Sequence, residues 1–296
     1  MMLGWIKNLT QTKGFHPTWI ILSVLLVFGV AGVMALPALY VTSKAPPPAV
    51  VTPKQAVELQ VHKRPSFSPP LASAMPSGEF GETVLLGRNI FKNTQIYAKN
   101  FVGNGLNCVN CHLDDGRKTD SAPLWGAYVK YPAYREKNHK VNSYEDRLAG
   151  CFRFSMNGHA PAYDSKEMVA LVAYSFWLAH GAPTGVDLMG SGYPKLEKSS
   201  RVPDVGRGAA VFASNCVICH GAEGQGTQVD GKYVFPPLWG KDSYNAGAGM
   251  FRVETAASFI QANMPLGKGG TLSQQEAWDV AQFVNSHDRP PDPRSK

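Results

Sequence analysis

Two stretches of the chain repeat apolar residues with the period of an amphipathic helix. "SKEMVALVAYSFWL" begins at Ser165, and "SQQEAWDVAQFV" begins at Ser273. In each stretch a serine precedes apolar residues spaced three or four positions apart, which is typical of a capped helix with one buried face. The pattern therefore predicts two helices, each packed onto a core.

The amino-terminal segment is uniformly apolar instead. Trp19–Val41 is a run of 23 residues without a charged side chain, and the residues before it carry Lys7 and Lys13 but no acid. A membrane helix needs about 20 apolar residues. The run predicts a transmembrane anchor over residues 18–41, with the short segment 1–17 in the cytoplasm by the positive-inside rule. A cleavable signal peptide is the alternative, for which "MALPALY" offers a weak cleavage site.

The rest of the chain contains an internal repeat. "CVNCH" and "CVICH" begin at Cys108 and Cys216; each is preceded by a "GRNIF" or "GAAVF" segment and followed by "APLWG" or "PPLWG". Met156 and Met264 each lie 44 residues after the histidine of their own motif. These landmarks occur in one order, which indicates a tandem duplication. The first copy has an insertion of 13 residues, "KNTQIYAKNFVGN", before its motif.

The duplication and the composition predict the domain boundaries. Proline-rich sequence forms an extended, semi-rigid spacer, and Gly/Pro-rich sequence is typical of a link between domains. The predicted segments are a Pro-rich tether at 42–78, a first domain at 79–182, a linker at 183–203, a second domain at 204–290 and a tail at 291–296.

Each repeat carries a Cys-x-x-Cys-His motif, the signature of covalent c-type haem attachment. Two thiols three positions apart lie on one side of a helical turn, so both can bond one porphyrin while the histidine ligates its iron. Zinc ribbons also use paired cysteines, but with pairs about 15–20 residues apart, and a dithiol redox site needs no histidine. The motifs predict two covalently attached haem c groups. The cofactor-binding residues are Cys108, Cys111, His112, Cys216, Cys219 and His220.

The haem motifs and the helical pattern together resemble class I cytochrome c folds. The expected fold class is mainly α, with an N-terminal transmembrane helix followed by two tandem class I cytochrome c-like domains. Bacteria attach such haems outside the cytoplasm, so we expect a single-pass protein of the inner membrane with its catalytic part in the periplasm. The proline before each "LWG", Pro123 or Pro237, is a candidate to accept a hydrogen bond from the axial histidine.

The sixth iron ligand is predicted from the loop before the last helix. In the second domain "NMPLG" places Met264 there, with Met250 as the rival and Lys268 as a secondary ligand. In the first domain the repeat favours Met156, but the same loop holds Cys151, the one cysteine outside the two motifs. Cys151 is therefore either a buried, inert cysteine or a reactive thiolate.

Two arginines favour the thiolate, because Arg147 and Arg153 flank Cys151 and nearby positive charge lowers a thiol's pKa. The segment "RLAGCFRFSMNG", both haem motifs, "PLWG" and "NMPLG", in this order over roughly residues 80–290, resemble the dihaem thiosulfate dehydrogenase family. That family interconverts thiosulfate and tetrathionate. The resemblance implies His112 and Cys151 as the iron ligands of the first haem, and His220 and Met264 as those of the second.

The resemblance also implies an active site beside the first haem. Two thiosulfate dianions repel each other, so clustered cations are needed; the candidates are Arg147 and Arg135, with Ser155 as a hydroxyl contact. Cys151 would bond the outer sulfur of one thiosulfate. A thiolate ligand lowers the potential of the first haem, so electrons would pass to the second haem and then to a soluble cytochrome c or similar acceptor.

Two other functions fit the motifs. A membrane-tethered dihaem electron carrier would use Met156 and have no use for Cys151, and a peroxidase would need a displaceable ligand at one haem. The chain of 296 residues has a net charge of +7, which favours anionic partners. Its basic residues have neither the density nor the motif context of a nucleic-acid-binding protein, so no nucleic acid is expected.

Overall fold

A computed structural model describes residues 67–295 of the chain. These residues are mainly helical, as the sequence predicts, and their only sheets are two antiparallel hairpins. Between residues 67 and 295, no helix combines the length and the apolar character needed to span a bilayer. The predicted anchor at 18–41 and most of the predicted tether lie outside the described residues.

The first haem-motif domain contains three longer helices. They are α1 (Gly78–Lys92), α2 (Tyr144–Gly150) and α3 (Lys166–Leu178). Shorter turns of helix lie at Ala72–Ala74, Thr94–Tyr97, Lys99–Phe101, Cys108–Asn110, Leu113–Gly116 and Leu124–Tyr128. A hairpin pairs Ala133–Arg135 with Lys140–Asn142, and a π-helical turn at Cys151–Ser155 continues α2.

The second domain repeats this plan. Its longer helices are α4 (Val205–Asn215), α5 (Val253–Asn263) and α6 (Gln274–Asn285). Short helices occupy Val217–His220 and Gly249–Phe251, and a hairpin pairs Thr227–Val229 with Lys232–Phe235. Ser273 caps α6 in a capping box, and Ser165 caps α3, as the serine positions predict. An N-cap of this type contributes about 1 kcal/mol to helix stability.

The first and last helices of each domain pack closely at a repeated glycine. A Cβ added at Gly87 in α1 would lie 2.0 Å from the carbonyl oxygen of Ala170 in α3. A Cβ added at Gly208 in α4 would lie 2.1 Å from the carbonyl oxygen of Asp279 in α6. These are the glycines that open "GRNIF" and "GAAVF". The repeat therefore marks a helix crossing that only glycine can occupy without displacing the backbone.

Buried amides join the two domains. Asn104, at the end of the 13-residue insertion, donates from Nδ2 to the carbonyl oxygens of Ser155 at 2.8 Å and Ser243 at 3.1 Å. Asn245 of the second domain donates from Nδ2 to the carbonyl oxygen of Arg153 at 2.9 Å. Buried amides of this kind are costly to leave unpaired, so they fix how the domains fit together.

The end of the predicted tether and the tail both pack on the domains. Phe67 contacts Trp125 edge to face, with ring centroids 5.1 Å apart. The carbonyl oxygen of Pro70 accepts a hydrogen bond from Arg117 at 2.6 Å. At the other end of the chain, the guanidinium of Arg294 lies 4.9 Å from the ring centroid of Phe154.

Candidate haem and active sites

The first domain contains a cleft whose walls carry the first Cys-x-x-Cys-His motif. The cleft holds about 1310 Å³ of empty space, counted to its open mouth. Its apolar walls come from Phe91, Leu106, Leu124, Leu148, Phe152 and Leu171. Cys108, Cys111 and His112 line the same space. An apolar cleft that offers two adjacent thiols and an imidazole has the donor set of a c-type haem site.

The 13-residue insertion supports the first motif from behind. Thr94, which is fully buried, accepts a hydrogen bond through Oγ1 from the backbone N–H of Cys108 at 3.1 Å. Burial raises the pKa of both Cys108 and Cys111 to about 12. The apolar surroundings therefore disfavour the thiolate form of both cysteines.

Each motif histidine is held by a backbone carbonyl. Nδ1 of His112 donates to the carbonyl oxygen of Ala122 at 2.7 Å, and Nδ1 of His220 donates to that of Pro236 at 2.9 Å. A carbonyl only accepts, so the proton is on Nδ1 and the Nε2 lone pair is left for a metal. Burial lowers the pKa of His112 to about 4 and also lowers the pKa of His220. Both imidazoles are neutral, which is the ligating form.

The prediction that Pro123 and Pro237 would accept these bonds is wrong by one residue in each domain. The acceptors are the residues that come directly before them in the chain. In the first domain the reason is local, because the carbonyl of Pro123 accepts from the backbone N–H of Ala127 at 3.1 Å in the first turn of helix Leu124–Tyr128.

Cys151 lies in the first cleft and carries a cationic partner. It is the first residue of the π-helical turn that follows α2, and Nη1 of Arg147, one turn earlier, donates to its Sγ at 3.0 Å. The interaction with Cys151 raises the pKa of Arg147, so the guanidinium stays charged. The pair places a fixed positive charge beside the sulfur. The other flanking arginine, Arg153, is exposed, lies 5.4 Å from the ring centroid of Phe154 and does not line the cleft.

Met156 lines the same cleft. Its side chain is only 3% exposed and packs in the core of the first domain. Its backbone N–H donates to the carbonyl oxygen of Cys151 at 2.9 Å across the π-helical turn. The repeat-based candidate and the unpaired cysteine are thus neighbours, and both residues line the first cleft.

The remaining candidate residues, Arg135 and Ser155, also line the first cleft. Beside them lies an aromatic group that the sequence does not single out. The Arg135 guanidinium lies 5.6 Å from the ring centroid of Tyr131, which in turn contacts Tyr144 at 5.6 Å. Both tyrosines line the cleft, and the hydroxyl of Tyr144 donates to Ser175 at 2.9 Å. The "YPAYR" segment contains Tyr131, but nothing in its pattern distinguishes that ring from a surface tyrosine.

The second domain has a matching cleft of about 1350 Å³. Cys216, Cys219 and His220 line it on one side, and Met264 lines it from the loop directly after α5. Met250, the rival ligand, lines the cleft as well. Lys268, the predicted secondary ligand, is exposed and is not among the lining residues.

The two clefts share a wall. Leu106 and Cys111 line both of them. Val109, Asn110 and Leu113, which belong to the first motif and its flanks, line the second cleft. Tyr193 of the interdomain segment lies beside this wall, because its hydroxyl donates to the carbonyl oxygen of Cys111 at 3.4 Å. The sequence places Tyr193 in the predicted linker and indicates no contact with the haem motif.

Two tandem helical domains, each with a haem-attachment motif and a histidine held in the ligating tautomer, define a dihaem c-type cytochrome. The family models agree with this class. Residues 92–184 match the model described as SoxA/TsdA, cytochrome c domain, and residues 203–284 match that of cytochrome c oxidase, cbb3-type, subunit III. The chain carries two covalently bound c-type haems.

Within this class the chain belongs to the thiosulfate dehydrogenase family. It is 58% identical over 228 residues to the thiosulfate dehydrogenase of Stutzerimonas stutzeri, covering 77% of this chain and 74% of the relative. It is 53% identical to that of Thiomonas intermedia, covering 82% and 77% respectively.

A solved structure supports the same assignment. The thiosulfate dehydrogenase (TsdBA) of Marichromatium purpuratum superimposes with a TM-score of 0.74 and 49% sequence identity over 81% of this chain. The present chain spans about half, 52%, of that longer chain.

Proposed function

We propose that the chain is a thiosulfate dehydrogenase that joins two thiosulfate ions into tetrathionate and passes two electrons to an external acceptor. The balance is two S2O3²⁻ giving S4O6²⁻ and two electrons, with no proton exchanged. The observation that carries the proposal is the Arg147–Cys151 pair in the cleft of His112, at 3.0 Å. The names of the relatives described above indicate thiosulfate as the substrate.

The residues around each cleft would hold the haems as follows. Cys108 and Cys111 would attach the first haem, and His112 and Cys151 would ligate its iron. Cys216 and Cys219 would attach the second haem, and His220 and Met264 would ligate its iron. A c-type haem supplies one-electron redox chemistry, so two haems match a two-electron reaction.

The cationic groups bring the substrates together. Two dianions in one cleft repel each other strongly, and fixed positive charge in a site sheltered from water offsets that repulsion. Arg147 and Arg135 supply this charge, and Ser155 contributes a hydroxyl to the sulfonate oxygens. Tyr131 holds the Arg135 guanidinium at its ring face, which limits the orientations available to the arginine.

Cys151 provides a covalent route to the new sulfur–sulfur bond. Its thiolate and the outer sulfur of one thiosulfate form Cys–S–S–SO3⁻ with loss of two electrons. The outer sulfur of a second thiosulfate then attacks the sulfur that lies between Cys151 Sγ and the sulfonate group. This step breaks the bond to Cys151 and releases tetrathionate together with the regenerated thiolate. A thioether such as that of Met156 cannot form this adduct reversibly. The same steps in reverse reduce tetrathionate.

The proposed ligands would favour one direction of electron flow. A methionine ligand would give the second haem a higher potential than a thiolate ligand would give the first, which would make the second haem the better electron acceptor. The clefts that would hold the two haems share Leu106 and Cys111 as lining residues. A soluble cytochrome c or a similar carrier would then collect the electrons at the second domain.

The proposed location of the protein rests on the sequence of its amino-terminal segment, which lies outside the described residues. The proposed order is a cytoplasmic segment 1–17, an inner-membrane anchor 18–41, a tether 42–78, the first haem domain 79–182, a linker 183–203, the second haem domain 204–290 and a tail 291–296. The support is the uncharged run Trp19–Val41 with basic residues on one side only. This arrangement puts both haem domains in the periplasm.

Replacing Cys151 with glycine in the haem-loaded protein tests the function. We expect Cys151→Gly to abolish thiosulfate-dependent reduction of an artificial acceptor while both haems stay attached, and to remove the thiolate signature from the low-spin ferric spectrum. The matched control is Met156→Leu, a volume-conserving change in the same loop, which retains both. Undiminished turnover in Cys151→Gly, or no turnover in the parent protein, would contradict the proposal. The alternative function, a non-catalytic electron carrier, is not favoured by the relatives and predicts no turnover in the parent protein.

A further inference from the structure

One buried side chain attaches the methionine loop of the second domain to the first domain. Asn263 is the last residue of α5, directly precedes Met264, and is only 1% exposed. Its Nδ2 donates to the carbonyl oxygen of Asp120 at 2.9 Å, and its Oδ1 accepts from Nζ of Lys118 at 3.0 Å. Nδ2 also donates to the carbonyl oxygen of Phe259 within α5 at 3.1 Å. Two of these three bonds cross between domains.

The segment that Asn263 contacts also positions the axial histidine of the first cleft. Asp120 lies two residues before Ala122, whose carbonyl accepts the His112 bond. The backbone N–H groups of Asp120 and Ala122 donate to the carbonyl oxygens of Gly190 and Gly192 at 2.9 and 2.8 Å. The interdomain segment therefore holds residues 120–122 in place on one side, and Asn263 contacts them on the other.

A buried, fully hydrogen-bonded amide leaves its neighbour little freedom. Any shift of the residue after Asn263 must stretch or break bonds that water cannot replace. The loop that follows is exposed at Leu266, Gly267 and Lys268, and the backbone N–H of Gly270 closes it by donating to the carbonyl oxygen of Gln261 at 2.7 Å. At the start of the loop, the bonds of Asn263 to Lys118 and Asp120 are ties that come from the other domain.

We propose that Asn263 is a positioning residue for the second haem: by binding the segment 118–120 of the first domain, it holds Met264 at the second cleft. The inference rests on the proposed ligand Met264. It goes beyond that ligand assignment, because it makes the ligation of the second haem depend on groups of the first domain. Loss of the tie would let Met264 move away from the site, and a haem without its methionine ligand has a lower potential.

The test uses the full haem-loaded chain and two variants. Lys118→Met removes one bond from the first-domain side and leaves the second domain unaltered in sequence. Asn263→Asp keeps the acceptor and removes both donors. The readouts are the far-red absorption band of methionine-ligated ferric haem and the midpoint potential of the second haem. We expect both variants to weaken the band and lower the potential, with Asn263→Asp the stronger.

The matched control is Asn245→Ala, which removes another fully buried interdomain amide, one that bonds to Arg153 and Asn157. It should leave the band and the potential of the second haem unchanged. If Lys118→Met and Asn263→Asp retain the parent band and potential, the inference is overturned while the proposed function stands. The inference is equally overturned if Asn245→Ala reproduces their effect, because the change then reflects general loosening. A parent protein without the band overturns the ligand Met264 and the inference with it.

Discussion

Arg147 and Cys151 meet because of their spacing on one helix. Four positions separate them, which places the two side chains on the same helical face. α2 ends at Gly150 and continues as a π-helical turn, so Cys151 is still aligned with the preceding turn when it enters the cleft. The pair is therefore a local product of the sequence and does not depend on distant contacts.

Replacing Arg147 with glutamine should remove the charge that offsets both the thiolate and the incoming dianions. A hydrogen bond to a charged group contributes about 1.5–3 kcal/mol, so we expect kcat/KM for thiosulfate to fall by about 10- to 100-fold. Steady-state assays with an artificial electron acceptor measure this directly.

Arg153→Gln is the control for that prediction. Arg153 carries the same charge on the same loop, but its guanidinium faces the ring of Phe154 outside the cleft. We expect its kcat/KM to stay close to that of the parent protein. Equal losses in the two variants would show that the effect is the net charge of the loop and not the contact with Cys151.

For individual residues, the sequence predicts which side chains carry the chemistry better than it predicts their hydrogen-bond partners. The haem cysteines and histidines follow from spacing alone, and the four candidate catalytic residues lie in one cleft. The histidine acceptors were misplaced by one residue because a carbonyl's direction depends on backbone angles that composition does not encode. Asn263 and Tyr193 were missed because their partners are more than 80 residues away in the chain.

Helix crossings set the geometry of each domain. α1 against α3 and α4 against α6 are equivalent pairs, and each crossing point is a glycine of the duplicated segment. Periodicity and the two serine caps predict the second helix of each pair correctly. The repeat reveals the insertion but not its structural role, because that role lies in tertiary contacts such as the hydrogen bond between Thr94 and Cys108.

Gly208→Ala should destabilise the second domain. The added Cβ would lie 2.1 Å from the carbonyl oxygen of Asp279, so α4 and α6 must move apart. Overpacking of this kind costs about 1–3 kcal/mol, and each kcal/mol lowers Tm by about 2–4 °C in a chain of this size. Thermal unfolding followed by circular dichroism measures the shift.

Gly206→Ala, in the same helix, serves as the comparison. Its added Cβ would have a single neighbour, an oxygen of Asp204 at 3.4 Å. Alanine is favoured over glycine within a helix by about 0.8–1.0 kcal/mol, so we expect Tm to be unchanged or raised. A fall in Tm equal to that of Gly208→Ala would contradict a role for the crossing.

For the whole molecule, the duplication predicts two domains but not how they join. The interface depends on amides such as Asn104 and Asn245, which look like ordinary loop residues in the sequence. The amino-terminal run lies outside the described residues, so the anchor stays a prediction.

The full-length protein should remain in the membrane fraction after washing with high salt, because an apolar helix is held by the hydrophobic effect and not by charge. Cleavage in the tether should release both haems in one soluble fragment. Fractionation with haem staining measures this, and sequencing of the amino terminus provides the check. A mature protein that begins after residue 36 and is soluble without cleavage would establish a signal peptide instead.

The wall formed by Leu106 and Cys111 bears on how the reaction proceeds in time. On the proposed function, every tetrathionate yields a pair of electrons, whereas a diffusing carrier cytochrome removes them singly. Two haems bound in clefts that share this wall would let a single molecule store the whole pair before any carrier arrives. The sulfur chemistry can then finish in one event, and no half-oxidised sulfur radical needs to wait in the cleft for a second collision.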